Sequence, residues 1–251
     1  MASRRGQLLD GVLLLDKPAG LSSNQALQRA KRILDARKAG HTGTLDPFAT
    51  GLLVCCLGRA TKIAATMFEA DKEYEATLSF GEETDSGDLT GVVVAQVEPD
   101  SVNVQAAALE AVLAGFRGPV EQVPPMISAL KRDGKPLYEY ARQGVVLERA
   151  PRRITIHALE LLSCSKTQAR IRVHCSKGTY VRTLAQDIGR RLGCLAHLSA
   201  LRRTRVGPFA IEQAVTLDAL QALAQPASIL IPLDALPAGL IPAPGVKREF
   251  E

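Results

Sequence analysis

The chain has 251 residues, 46% hydrophobic and 23% charged, with a formal net charge of +5. That length and mix suit one large domain with a substantial core and exclude global disorder. Trp is absent and aromatics make up only 4%, which excludes a binder that stacks base after base of a single strand on aromatic rings; the mild basic excess fits a nucleic-acid partner without demanding one.

The five cysteines, Cys55, Cys56, Cys164, Cys175 and Cys194, form no CxxC pair, so reduced, mostly buried thiols are expected. His157, Cys164, His174 and Cys175 match no zinc-ligand spacing, and no metal is expected. The opening "MASRRGQLLDG" lacks the apolar core of a signal peptide. No apolar run approaches the roughly 18 residues that span a bilayer. A cytoplasmic location is the expectation.

In chain order, "GVLLLDKPAG" reads as a short buried strand ended by Pro18 and Gly20. Ser22 or Ser23 caps a helix over "NQALQRAKRILDAR", with Ala26, Leu27, Ala30, Ile33 and Leu34 at helical spacing. Its other face carries Arg29, Lys31 and Arg32, followed by Arg37 and Lys38. A glycine-rich turn over 40–51 runs into the apolar stretch "LLVCCLG". "KEYEATLSFG" alternates, with Tyr74, Ala76, Leu78 and Phe80 on one side, and predicts a strand with one buried face. "EETDSGDLTG" is a polar loop and "VVVAQV" a strand; 103–118 is a surface helix ended by Gly115 or Gly118. Residues 119–144 show no clean period and read as an excursion that touches a partner, with a short helix near 136–143. Ile154, Ile156, Ile171 and Val173 mark two strands, and "TLAQDIGRRLG" a helix stopped by Gly193. From Pro226 the chain is rich in Pro and Ala and reads as a linker or docked tail. Strands and helices mixed without regular βαβ spacing predict an α+β fold with a mixed, mostly antiparallel sheet.

The residues with chemistry are few. Asp46 precedes Pro47, which biases its backbone toward extended geometry, and it sits between Gly43 and Gly51. Two readings stand side by side. Asp46 is a helix cap, with Pro47 at the first helical position, or it is a reacting carboxylate on an active-site turn. His41 is equally open. No P-loop, HExxH or GxSxG motif exists. Arg182, after "SKGTYV", lies near a helix start, where it can be a surface ion pair or the buried partner of a carboxylate brought from elsewhere in the chain.

"DKPAGLSS", "GHTGTLDPFATG", "KEYEA", "PPMISALKRDGKPLYEYARQG" and "SKGTYVRTLAQDIG", in this order, resemble the motifs of the TruB-type pseudouridine synthases, from about residue 10 to about residue 210. The resemblance implies a pseudouridine synthase fold, with helices flanking the sheet and an RNA-contacting insertion at about 120–150. It divides the chain into a flexible 1–10, a catalytic domain over 11–215, and a segment 216–251 too short for a complete C-terminal RNA-binding domain. It also implies isomerisation of uridine to pseudouridine at position 55 in the T loop of tRNA, with no cofactor and no metal; with no obvious pairing element in the sequence, a monomer with no obligate protein partner is the expectation.

Residue by residue, Asp46 matches the family's catalytic aspartate, Tyr74 the tyrosine that stacks on the target uracil, and Arg182 the arginine that pairs with the aspartate. His41 matches the histidine that packs against the flipped nucleotide and the RNA backbone, Lys17 a basic residue lining the pocket, and Leu201 the leucine that closes it. Arg202, Arg203 and Arg205, with the basic face of the first helix, make an expected phosphate-contacting rim. Lys131 belongs to the insertion that closes over the RNA arm. Ile127 stands where the family usually has an aromatic residue. Two rivals remain: a nucleoside hydrolase using the same carboxylate, and a non-catalytic RNA-binding or RNA-folding protein on the same fold.

Overall fold

The computed structural model describes residues 6–238 and 240; the expected flexible start and the end of the tail lie partly outside the described residues. In chain order the elements are β1 (Gly11–Lys17), α1 (Ser23–Ile33), β2 (Ala39–His41), β3 (Thr50–Leu57), α2 (Ala64–Glu69), β4 (Lys72–Phe80), β5 (Glu82–Thr84) and β6 (Val93–Gln96). Then follow α3 (Ala106–Ala114), β7 (Gly118–Gln122), β8 (Lys131–Arg132), β9 (Lys135–Pro136), α4 (Leu137–Arg142), β10 (Arg152–Cys164) and β11 (Gln168–Cys175). The last are α5 (Val181–Leu192), β12 (Ala196–Val206), β13 (Phe209–Ala210) and α6 (Leu217–Ala222). The fold is α+β, a mostly antiparallel sheet flanked by helices. The chain divides into two compact units, Met1–Ala70 with Arg203–Glu251, and Asp71–Arg202.

In the first unit β1 and β3 pair antiparallel from Gly11↔Leu57 to Lys17↔Gly51, and β2 pairs with β3 from Ala39↔Leu57 to His41↔Cys55. Alternate residues of β1 and β3 enter two different cores. Leu13, Leu15, Leu53, Cys55 and Leu57 pack under α1 and α6. Val12, Leu14, Leu52, Val54 and Cys56 pack with Ile63, Met67, Val206 and Phe209. Burial on both faces explains why "VLLL" and "LLVCCL" are continuous apolar runs rather than alternating ones. It also explains why the residues after Asp46 do not form a helix. Pro47 and Phe48 sit in a turn closed by the Ala49 N–H donating to the Asp46 carbonyl (3.1 Å), and β3 begins at Thr50. The helix-cap reading of Asp46 is thereby corrected.

Helix α1 begins where expected. Ser22 is its N-cap, accepting from the Gln25 N–H, and the Gln25 side chain accepts from the Ser22 N–H. Such a box stabilises the first turn by about 1 kcal/mol. The tail is docked: Val12 and Ile231 exchange two backbone hydrogen bonds of 2.9 Å, and Leu217 and Leu220 of α6 enter the α1 core.

In the second unit the strand order is β4-β11-β10-β7, all antiparallel. In β4, Ala76, Leu78 and Phe80 are buried and Thr77 and Ser79 half-exposed, the predicted period of two. Helices α3 and α5 pack on each other and on β10 and β4, and α5 stops at Gly193 in the left-handed region, as predicted. The insertion folds as the β8–β9 hairpin followed by α4, the short helix expected near 136–143.

Candidate active site

Asp46 is half-buried in the loop joining β2 to β3. In the same unit, Lys17 at the end of β1 has no solvent exposure. Its ammonium donates to the carbonyls of Leu21 (2.7 Å), Pro18 (2.8 Å) and Pro47 (3.4 Å). Burial lowers its pKa to about 8; the Asp46 charge opposes that shift and the Arg203 charge adds to it. Lys17 therefore supports the loop from within rather than presenting a free cation at its surface.

The sign of that shift is testable. A buried lysine that titrates near 8 when folded and near 10.5 when unfolded leaves the unfolded state with more protons between those values. Its contribution to stability rises with pH across that window. The difference in unfolding free energy between wild type and Lys17→Met is expected to slope upward from pH 8 toward 10. A flat difference across the window contradicts a buried, shifted Lys17.

His41 closes β2 and is half-buried, its Nδ1 buried with no hydrogen-bond partner among the described residues. Burial, then the Arg203 charge, pushes its pKa below the ordinary imidazole value. Both causes favour the uncharged form of the ring.

Arg203 departs from the expected rim. It is only 1% exposed, and its guanidinium donates to the carbonyls of Leu52 (2.8 Å) and Gly43 (3.1 Å). A side chain so buried offers no phosphate contact, so this part of the expectation is corrected. The alternation of β12 is the cause: Leu201, Arg203 and Val206 are buried, Arg202 is half-buried and Arg205 exposed. Arg29, Arg32, Arg37 and Lys38 are exposed and Lys31 half-buried, so that basic face does meet solvent.

In the second unit, Tyr74 is half-buried on β4, opposite Val173 of β11. Arg182, in the first turn of α5, is 3% exposed. Its guanidinium donates to the carbonyls of Ser86 and Ile127, each at 2.7 Å, and its Nε lies 3.8 Å from Asp88 Oδ2. Ile127 thus touches the arginine through its backbone, which any residue supplies there. Asp88 is itself buried, and its Oδ1 accepts from the Ser86 hydroxyl (2.9 Å), the Thr90 N–H (2.9 Å) and the Thr90 hydroxyl (2.5 Å). Gln122 exchanges hydrogen bonds with the backbone of Tyr180, holding the start of α5 (2.7 and 3.1 Å). Lys131 is exposed on the β8–β9 hairpin.

The sequence reading missed Asp88, Ser86 and Gln122 as supports, and Ser23, whose hydroxyl bonds both the N–H (2.7 Å) and the carbonyl (3.0 Å) of Leu45. "DSGD" does carry a local signal, a Ser–Asp pair two apart able to hydrogen-bond within a turn. Nothing local ties it to an arginine almost a hundred residues later. Cys55 and Cys56 are buried on opposite faces of β3, their thiol pKa values pushed up by burial, that of Cys56 to about 12. Among the described residues no three His, Cys, Asp or Glu side chains are grouped to hold a metal ion.

Solved structures match this architecture. A chain of an archaeal box H/ACA sRNP Nop10-Cbf5 complex is 31% identical at a TM-score of 0.63, over 84% of this chain and 52% of that one. A chain of a Cbf5-Nop10-Gar1 complex is 30% identical at 0.69, over 91% of this chain and 61% of that one. This chain thus spans little more than half the length of those proteins. The fold is shared with those chains.

A sequence model of TruB family pseudouridylate synthases, N-terminal domain, matches residues 31–181, and one of the tRNA pseudouridylate synthase B C-terminal domain matches 182–236. The chain belongs to the TruB family. It is 70% identical to tRNA pseudouridine synthase B of Bordetella avium over 97% of this chain and 100% of that protein. To the protein of the same name from Burkholderia mallei it is 60% identical over 91% of this chain and 75% of that one. Among the described residues no helix is long and apolar enough to cross a membrane.

Proposed function

We propose that this protein isomerises uridine to pseudouridine at position 55 in the T loop of tRNA, as a cytoplasmic monomer. The observation that carries the reading is the likeness to tRNA pseudouridine synthase B over nearly the whole chain, with the motif aspartate in a loop backed by two buried cations.

The reaction breaks the N1–C1′ bond, turns the base and joins C5 to C1′. The C5 proton leaves and N1 gains one, so no atom is gained or lost overall. Asp46 starts it, by adding to uracil C6 or by acting at the ribose. Arg182 keeps the reacting carboxylate charged and oriented. Tyr74 holds the detached uracil by stacking while it turns, and is the candidate to help move the C5 proton. The target uridine is extruded from its loop, as enzymes acting on bases require. His41 occupies the space it leaves, and Leu201 closes the pocket. Arg202, Arg205, Lys131 and the basic face of α1 contact phosphates, and structured RNA is recognised mainly by shape and splayed bases.

The test is pseudouridine mapping on unmodified tRNA with and without the protein. Signal at one T-loop uridine is expected. Free uracil instead indicates a hydrolase, and binding without modification a non-catalytic RNA binder. For Tyr74 the expected order of activity is wild type, then Phe, then Leu, because Phe keeps the stacking face. Leu outperforming Phe refutes stacking.

A further inference from the structure

The segment from Gly43 to Leu52, made of the β2–β3 loop and the first three residues of β3, is held at three places by side chains from outside it. At its two ends the carbonyls of Gly43 and Leu52 accept from one guanidinium, that of Arg203, at 3.1 and 2.8 Å. Just before Asp46, Ser23 accepts from the Leu45 N–H (2.7 Å) and donates to the Leu45 carbonyl (3.0 Å), and Ser23 is 1% exposed. Just after it, Lys17 donates to the carbonyl of Pro47. Each residue flanking Asp46 is fixed, and the loop is tied across its neck.

Gly51 shows how closely the tie is drawn. Its φ is +103°, and a Cβ there would stand within 2.7 Å of both the Arg203 backbone N and O. Gly51 belongs to β3, and this close approach brings the strand that follows the loop against the backbone of Arg203 on the neighbouring strand β12.

We propose that Arg203 is a positioning residue for Asp46, its guanidinium stapling the two ends of the loop, with Ser23 as a second hold beside the carboxylate. This rests on the reading of Asp46 as the reacting group. Two features favour a staple over a general structural charge. Both hydrogen bonds of Arg203 go to neutral backbone carbonyls that bracket one loop, Gly43 near its start and Leu52 just past its end in β3. The planar fork of an arginine donates in two directions at once, which a lysine ammonium on a flexible stem does not reproduce. A carboxylate displaced by about 1 Å loses about 100-fold in rate, so a clamp of this kind acts on turnover.

The test compares wild type with Arg203→Lys and Arg203→Met, using a T-arm stem-loop RNA. It reads single-turnover pseudouridine formation, RNA affinity, and hydrogen exchange at the amides of 43–52. Arg203→Lys keeps the charge and loses the two-ended bond. The expected result is a rate at least about 50-fold lower in both variants, affinity within about threefold of wild type, and faster exchange confined to the loop. A wild-type rate in either variant overturns the proposal. So does a rate loss matched by an equal loss of affinity, or rescue of the rate by Lys.

Should neither variant fold, Ser23→Ala decides. A rate about tenfold lower with unchanged affinity supports the clamp, and a wild-type rate overturns it. Wild-type protein that forms no pseudouridine, or an Asp46→Asn variant that does, refutes the reading of the site instead.

Discussion

Asp46→Asn is expected to abolish pseudouridine formation while leaving tRNA binding within about threefold of wild type. The amide keeps the size of the carboxylate and loses its charge, so it neither attacks carbon nor takes a proton. Removal of a reacting nucleophile costs on the order of 10⁴-fold or more in rate. The loop itself should survive, because it is tied through the backbones of Gly43, Leu45, Pro47 and Leu52 rather than through the Asp46 carboxylate in any bond described above. Lys17 loses the anion that favours its charged form, so stability is expected to fall by about 1 kcal/mol. Pseudouridine mapping and an RNA-binding titration on the same preparation separate the two effects. Activity within tenfold of wild type refutes the carboxylate mechanism, and a matched loss of binding shows a site damaged as a whole.

Much of the framework is legible in the residues because it rests on local rules. The apolar runs of β1 and β3, the alternation of β4, the Ser22 cap and the Gly193 stop each follow from spacing within about ten residues. Lys17 and Arg203 were harder. A charged side chain is ordinarily at the surface, and the clusters that include Arg203 read as phosphate contacts for that reason. They go inward here because carbonyls stand ready to accept from them: for Lys17 those of Pro18, Leu21 and Pro47, for Arg203 those of Gly43 and Leu52. The Arg203 acceptors come from residues about 150 positions away, which no local period encodes. The strand after Asp46 was obscured for a related reason. Asp-Pro is a good helix opening, but the two-sided burial of "LLVCCL" outweighs it.

The same non-local logic governs Arg182, where the second large effect is expected. Its guanidinium is fixed by the Ser86 and Ile127 carbonyls, with Asp88 beside its Nε. These acceptors come from the loop after β5 and from the insertion, so the direction of the fork is set by chain segments far from α5. Arg182→Ala removes the cation and is expected to lower the rate about 10³-fold, the scale of one lost electrostatic group in a desolvated site. Asp88→Asn keeps the arginine and removes one buried anion beside it. Its neutral side chain keeps an oxygen for Thr90, so the loop is expected to hold while the guanidinium shifts. A misplacement of about 1 Å gives a loss of about 100-fold. If Asp88 acts through Arg182, the two changes are not additive, and the double variant is no slower than Arg182→Ala alone. Single-turnover rates of the four proteins close that cycle. Additive losses place Asp88 on a separate path to the chemistry, and a wild-type rate in Asp88→Asn removes it from the site.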